Sequence, residues 1–221
     1  MDARQETIDR YRHLREVAKQ HVTGALKHLS KNAINGAARR VGLLSGGAIV
    51  ADSFDEMTLA FDLAVLGPQQ GRSRAIDRYA RAHPPAPGSD EALALDALRH
   101  CRFHIIRVLR RHETAGLVVE DVASHEELWL MDEGLETTAP EGAAFGTRLL
   151  RLDGFHMTAG AAVPVTGDVL EAAIASRPVW LNDAQFRFID DPRFPEALYA
   201  AAIRHGKMQF MKFKGRDEVE L

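Results

Sequence analysis

The chain lacks most of the residues and runs from which a function is usually read. One of its 221 residues is a cysteine, Cys101. An intrachain disulfide and a thiol-rich metal site are therefore excluded, and the expected setting is the reducing cytoplasm. No run of about 18 apolar residues occurs, so no membrane span is expected. The opening Met1-Asp2-Ala3-Arg4-Gln5-Glu6 has neither the basic start nor the apolar stretch of a signal peptide. There is no Gly-x-x-x-x-Gly-Lys-Ser/Thr, no Gly-x-Gly-x-x-Gly after a strand and no His-Glu-x-x-His. Leu43-Leu44-Ser45-Gly46-Gly47 lacks the glycine two before the serine that a nucleophile elbow needs, and it reads as a helix-ending turn.

Histidine is plentiful, at ten residues, but poorly spaced for metal. His100 and His104 stand i,i+4, yet a helix-to-strand switch is expected between them. His21 and His28 have no carboxylate at matching spacing. No catalytic, cofactor-binding or metal-binding residue is assigned. Cys101, beside His100, reads as a small buried hydrophobe.

What is present is an ordinary globular composition, 46% hydrophobic and 27% charged. The net charge of −3 hides an asymmetry. Residues 1–50 and 72–111 each carry nine Lys/Arg against four Asp/Glu. Residues 112–147 carry no Lys or Arg and nine carboxylates: Glu113, Glu120, Asp121, Glu126, Glu127, Asp132, Glu133, Glu136 and Glu141. Either the opposed blocks face each other within the fold, or the acidic block repels phosphate while the basic segments attract it.

The periodicity predicts an α+β protein in three stretches. Residues 1–100 form a helical region that begins with one long helix over residues 2–30. Its stripe is Ile8, Tyr11, Leu14, Ala18, Val22, Ala25, Leu26 and Leu29. A shorter helix covers residues 31–44. Ser53-Phe54-Asp55-Glu56 fits a capping box, and the helix it opens is apolar nearly all round, hence buried on most sides. Its polar stripe is Asp55, Thr58 and Asp62, expected to pair with Arg39 or Arg40. Helices at residues 73–82 and 89–100 follow, divided by the stiff His83-Pro84-Pro85 connector.

Residues 102–165 change to short β-branched and aromatic runs with turn-type breaks, including Asp153-Gly154, a hairpin signal. Five strands in an antiparallel meander or small barrel are predicted. Residues 166–221 hold two helices and a last edge strand over residues 207–213.

Two residue sets could bind something. Arg39, Arg40, Arg72, Arg74, Arg78 and Arg81 offer phosphate contacts for a nucleic acid. Against this, the fragment following residues 29–43 is apolar and acidic where a recognition helix needs basic or amide residues. Arg148, Asp153 and His156, with Trp129 nearby, could hold a small anion; a hairpin salt bridge with an exposed histidine is the competing expectation.

The segments Ala37-Ala38-Arg39-Arg40-Val41-Gly42-Leu43-Leu44, Asp55-Glu56-Met57, Gly116-Leu117-Val118-Val119-Glu120-Asp121 and Phe155-His156-Met157-Thr158-Ala159-Gly160 resemble a set of uncharacterised bacterial proteins. A similar β-module occurs beside cysteine-rich SEC-C metal-binding tails. Those cysteines are missing here, so the resemblance implies the architecture and no zinc.

Together these features predict a non-enzymatic interaction or regulatory protein that self-associates through its first helix, with a protein partner or a second copy. The alternatives are a nucleic-acid-binding protein and an enzyme with its site near Arg148 and His156. No membrane partner is expected.

Overall fold

The computed structural model describes residues 2–69, 71–181 and 187–210. Its elements are eight α-helices and seven strands among those residues. Helix α1 (Ala3–Lys27) is capped by the Asp2 carboxylate, which accepts from the Arg4 amide. At 25 residues it is about 37 Å long. Helix α2 (Lys31–Arg40), capped by Ser30, leads into a small hairpin of β1 (Leu44–Ser45) and β2 (Ala48–Ile49). The capping box exists: Ser53 Oγ accepts from the Glu56 amide and opens α3 (Phe54–Val65). The Glu56 carboxylate reaches back to the Asp52 amide, one residue before the cap.

Helices α4 (Ala75–Ala82) and α5 (Asp90–His100) follow, and the helix-to-strand switch falls at Cys101, between His100 and His104. Strands β3 (Arg102–Arg111), β4 (Leu117–Asp121) and β5 (Glu127–Leu130) come next. Then come α6 (Glu133–Thr138), β6 (Ala144–Arg151), β7 (His156–Pro164), α7 (Gly167–Ala175) and α8 (Phe194–Arg204).

The β-module departs from the expected antiparallel meander. Neighbours run β3-β4-β5-β7-β6 and back to β3, so β7 lies between β5 and β6. Four seams are antiparallel, but β5 meets β7 in parallel through one bridge, Leu130 to His156. The module is a mixed sheet curled until its edges touch, partly open at that seam. The physical reason is α6. It carries the chain from the end of β5 across to β6, which pairs with β3 and takes β7 to the far edge. The Asp132 carboxylate starts α6 by accepting from the Leu135 amide, a cap that hydrophobic periodicity does not reveal. This order sets a helix between the third and fourth strands of the module. Connectivity fixes no ligand.

Three apolar clusters hold the molecule. Inside the curled sheet, Ile106, Val108, Leu117, Val119, Leu130, Phe145 and Leu149 meet Leu135 and Ala139 of α6. Outside it, Leu150, Leu152, Phe155 and Met157 pack against α1 and α5. Elsewhere on the outer surface, Phe103, Ile105, Ala161 and Val163 pack against α2, α3, α7 and α8. The three stretches of sequence therefore share their cores.

Tyr11, Leu14, Ala18 and Ala25 of the α1 stripe are buried in its own chain, and Ile8, Val22, Leu26 and Leu29 are partly buried against the same core. Gly24, unfavourable inside a helix, has a packing reason: a Cβ there would lie 2.5 Å from the Tyr79 ring, which α4 presses against α1. The expected last strand is corrected too. Lys207–Phe210 is a 3-10 turn packed against α8 and β7; residues 211–213 lie outside the described residues. Among the described residues no helix is long and apolar enough to cross a membrane.

Candidate functional site

The opposed charge blocks meet within the fold. Arg4 bonds Glu136, Arg12 bonds Glu133 through two nitrogens, and Arg15 stands 3.8 Å from Asp132. On the sheet itself, Arg107 and His125 reach Glu120, Arg110 reaches Glu127, and His104 reaches Asp121. These pairs explain how an acidic module folds between basic segments. Most are exposed, where a single pair contributes about 0–1 kcal/mol.

The expected phosphate contacts are divided among local tasks. Arg40 pairs with Glu196 of α8. Arg74 holds Asp77 and the Arg99 carbonyl, Arg78 holds Gln69 and the Ser73 carbonyl, and Arg81 holds Ser73 Oγ. Arg39 and Arg72 make no ion pair among the described residues and are exposed. The outer surface of β4 and β5 presents Glu120 and Glu127. That charge opposes a phosphate backbone.

The small-anion set is not brought together. Asp153 sits exposed in the β6–β7 turn. His156 is half-buried at the β5–β7 seam, where burial, then the nearby Arg151, lowers its pKa. Trp129 stacks on His112 at 4.0 Å and donates to the Ala115 carbonyl. Arg148 projects from the sheet toward α3 and α8 and is buried. Its Nε donates to both oxygens of Asp62, at 3.2 and 3.0 Å, and the Tyr199 hydroxyl donates to the same carboxylate at 3.1 Å. The expected pairing of Asp62 with Arg39 or Arg40 is thus corrected. The buried face of α3 turns Asp62 toward the sheet, away from α2. The hairpin salt bridge fails for the same reason.

One concavity stands out: a groove of about 750 Å3 between α1, α3, the outer side of β7 and the start of α6. The α1 wall combines Ala18, Val22 and Leu26 with the polar Arg12, Arg15, Glu16, Lys19 and Thr23, and Met157, Ala159 and Ala161 form the sheet wall; Arg12, Arg15 and Lys19 are engaged with Glu133, Thr158 and Glu16. The α3 wall presents Phe54, Asp55, Thr58, Phe61 and Val65. Phe54 is 70% exposed, so α3 is not covered on this side as its all-round apolar pattern suggested. At the α6 end, Arg15 Nη1 donates to the carbonyl and hydroxyl of Thr158, at 3.2 Å each, and the Thr158 hydroxyl donates to Asp132 at 2.7 Å. That network is internally satisfied.

Asp55 differs from the other carboxylates of the groove. It is half-buried, and no ion pair or side-chain hydrogen bond engages its carboxylate among the described residues. Its pKa is raised, with desolvation as the cause. Asp62, by contrast, is tied to Arg148 and Tyr199, Asp132 to Thr158, and Glu133 to Arg12. The polar stripe Asp55-Thr58-Asp62 was visible in the sequence. What it faced was not, because the groove is made by α1 and β7 from distant parts of the chain.

The model of a family of unknown function, DUF7986, matches residues 5–170. The chain belongs to this family. The match takes in α1 through β7, hence every wall of the groove. No curated protein and no solved structure matches the chain.

Proposed function

We propose that this DUF7986 member is a non-enzymatic binding protein whose ligand lies in the groove between α1, α3 and β7, and that the ligand is a small organic cation with an apolar body. The observation that carries the reading is Asp55: an unpaired, partly desolvated carboxylate beside Phe54, Phe61 and Val65 of the groove, whose other carboxylates Glu16, Asp62, Asp132 and Glu133 already have partners. A carboxylate in such surroundings is stabilised by a cation that brings its own apolar surface. The groove lies within the roughly 300–1,000 Å3 common for small-molecule sites. Phe54 and Phe61 supply aromatic faces suited to an ammonium or amine.

The ligand would bridge the helical part and the sheet, so occupancy would stabilise the fold by mass action. A regulatory role fits this arrangement, since α1 and α3 would be clamped only when the ligand is present. Self-association through the α1 stripe is not part of this reading, because most of that stripe packs on its own chain and the rest lines the groove.

The test is calorimetric titration of the full chain with an alkylammonium probe and with the alcohol of equal chain length. The ammonium should bind and the alcohol should bind at least about tenfold more weakly, the worth of one charge-assisted contact. Asp55→Asn should remove that difference. Equal binding of the two probes by the wild-type protein would end the proposal.

A further inference from the structure

A second cavity, of about 420 Å3, opens on the other side of the Asp62–Arg148 pair. Arg148, Arg102 and Arg74 line it together, against walls of Leu66, Ile189 and three prolines: Pro68, Pro192 and Pro195. Prolines hold such a wall open, because their φ is fixed and they have no N–H to pair across it.

Arg148 is the informative residue. Its side chain is only 8% exposed. A guanidinium carries five N–H donors, and here one nitrogen, Nε, is engaged. Nη2 is buried with no hydrogen-bond partner, the one such side-chain nitrogen or oxygen among the described residues. Phe103 offers its ring at 5.9 Å from Arg148 Cζ, which compensates part of the charge but accepts no ordinary hydrogen bond. Leaving a buried charged donor unmet is costly. The remaining cations stand close by. Arg102 is exposed and makes no ion pair among the described residues. Arg74 is committed to Asp77 through Nε and Nη2. Two carboxylates oppose them: Asp190, exposed on the rim, and Asp191, held by Arg193 and the Trp180 indole.

We infer that this cavity is a binding site for a small oxyanion, a phosphate or carboxylate group, taken by the unused edge of Arg148 with Arg102 as the second cation. The fork of Nη1 and Nη2 matches two oxygens of such a group. This site is separate from the groove at Asp55 and takes a ligand of opposite charge, so either assignment can fail without the other.

The experiment is an NMR titration of the full chain, labelled with 15N at arginine, using inorganic phosphate and, separately, acetate, with chloride holding the ionic strength constant. Saturable movement of the Arg148 Nε–H resonance is expected with at least one anion. The tighter of the two identifies the group. Arg102→Gln, at an exposed position, should weaken binding about tenfold, and Asp190→Asn should tighten it. Arg148→Lys keeps the charge but loses the fork, and should abolish saturation in a chain that still folds. If that variant does not fold, the wild-type titration and Arg102→Gln decide the matter. An Arg148 resonance that stays fixed, or that drifts linearly without saturation, overturns the inference and leaves internal water as the partner of Nη2. So does saturation indifferent to Arg102→Gln and Asp190→Asn.

Discussion

The Arg148–Asp62 pair should dominate the response of this fold to single substitutions. Both side chains are buried, 8% and 4% exposed, with N–O distances of 3.0 and 3.2 Å. Arg148→Met would leave the Asp62 carboxylate in the core with the Tyr199 phenol as its remaining donor. Burial holds that phenol's pKa well above the ordinary value, so it stays protonated. Asp62→Leu would leave a guanidinium without a counter-charge beside Phe103. Breaking one side of such a pair costs about 3–5 kcal/mol, a large part of a typical stability of about 5–15 kcal/mol. Tyr199→Phe removes one hydrogen bond to a charged group and should cost about 1.5–3 kcal/mol. The double variant Asp62→Leu with Arg148→Met buries no charge. It should cost less than either charge-stranding single, giving a coupling of about 2 kcal/mol or more. Urea unfolding at neutral pH, followed through Trp129 and Trp180, measures all four. Additive singles, or an Arg148→Met cost below about 1 kcal/mol as for an exposed pair, would refute the reasoning.

Other substitutions test separate features. Asp55 has its pKa raised on folding, so the folded state favours its neutral form and ionisation destabilises. Asp55→Asn should therefore raise the melting temperature at neutral pH, and the gain should vanish as pH falls through the folded pKa of Asp55. The Cys101 thiol is pushed up to about 11 by burial. It should resist a disulfide reagent at about pH 8, near the ordinary thiol pKa, while the chain is folded, and react fully in denaturant; rapid stoichiometric labelling of the native chain would contradict its placement. Gly24→Ala would normally favour a helix by about 1 kcal/mol. Here it should destabilise by about 1–3 kcal/mol through overpacking against Tyr79, measured by the same urea series.

Much of the helical framework was legible because its signals are local. Ser53, Ser89 and the Asp55-Glu56 first turn are read within four residues, and α3 and α5 begin at those caps. The strands of residues 102–165 were legible from β-branched runs. Their order was not. Whether β7 joins β6 on the far side or continues a meander depends on α6, a six-residue helix whose apolar content is too small to show periodicity. Partners of buried charges were illegible for a related reason. Asp62 and Arg148 lie 86 positions apart, and nothing in either neighbourhood distinguishes that pairing from one with Arg39 or Arg40. The α1 stripe was visible, but a pattern cannot tell whether its own chain or a second copy covers it. Helices α4 and α5 do so here.

Whether the groove walled by α1, α3 and β7 receives an apolar-bodied cation at Asp55 is tested most directly by methyl-resolved NMR of the full chain, titrated with the alkylammonium probe. Saturable shifts are predicted in the methyl groups of Val22, Leu26, Thr58, Val65 and Ala159, which surround the groove, together with their loss in Asp55→Asn. Shifts that cluster elsewhere on the molecule, or that persist unchanged in Asp55→Asn, would contradict that assignment.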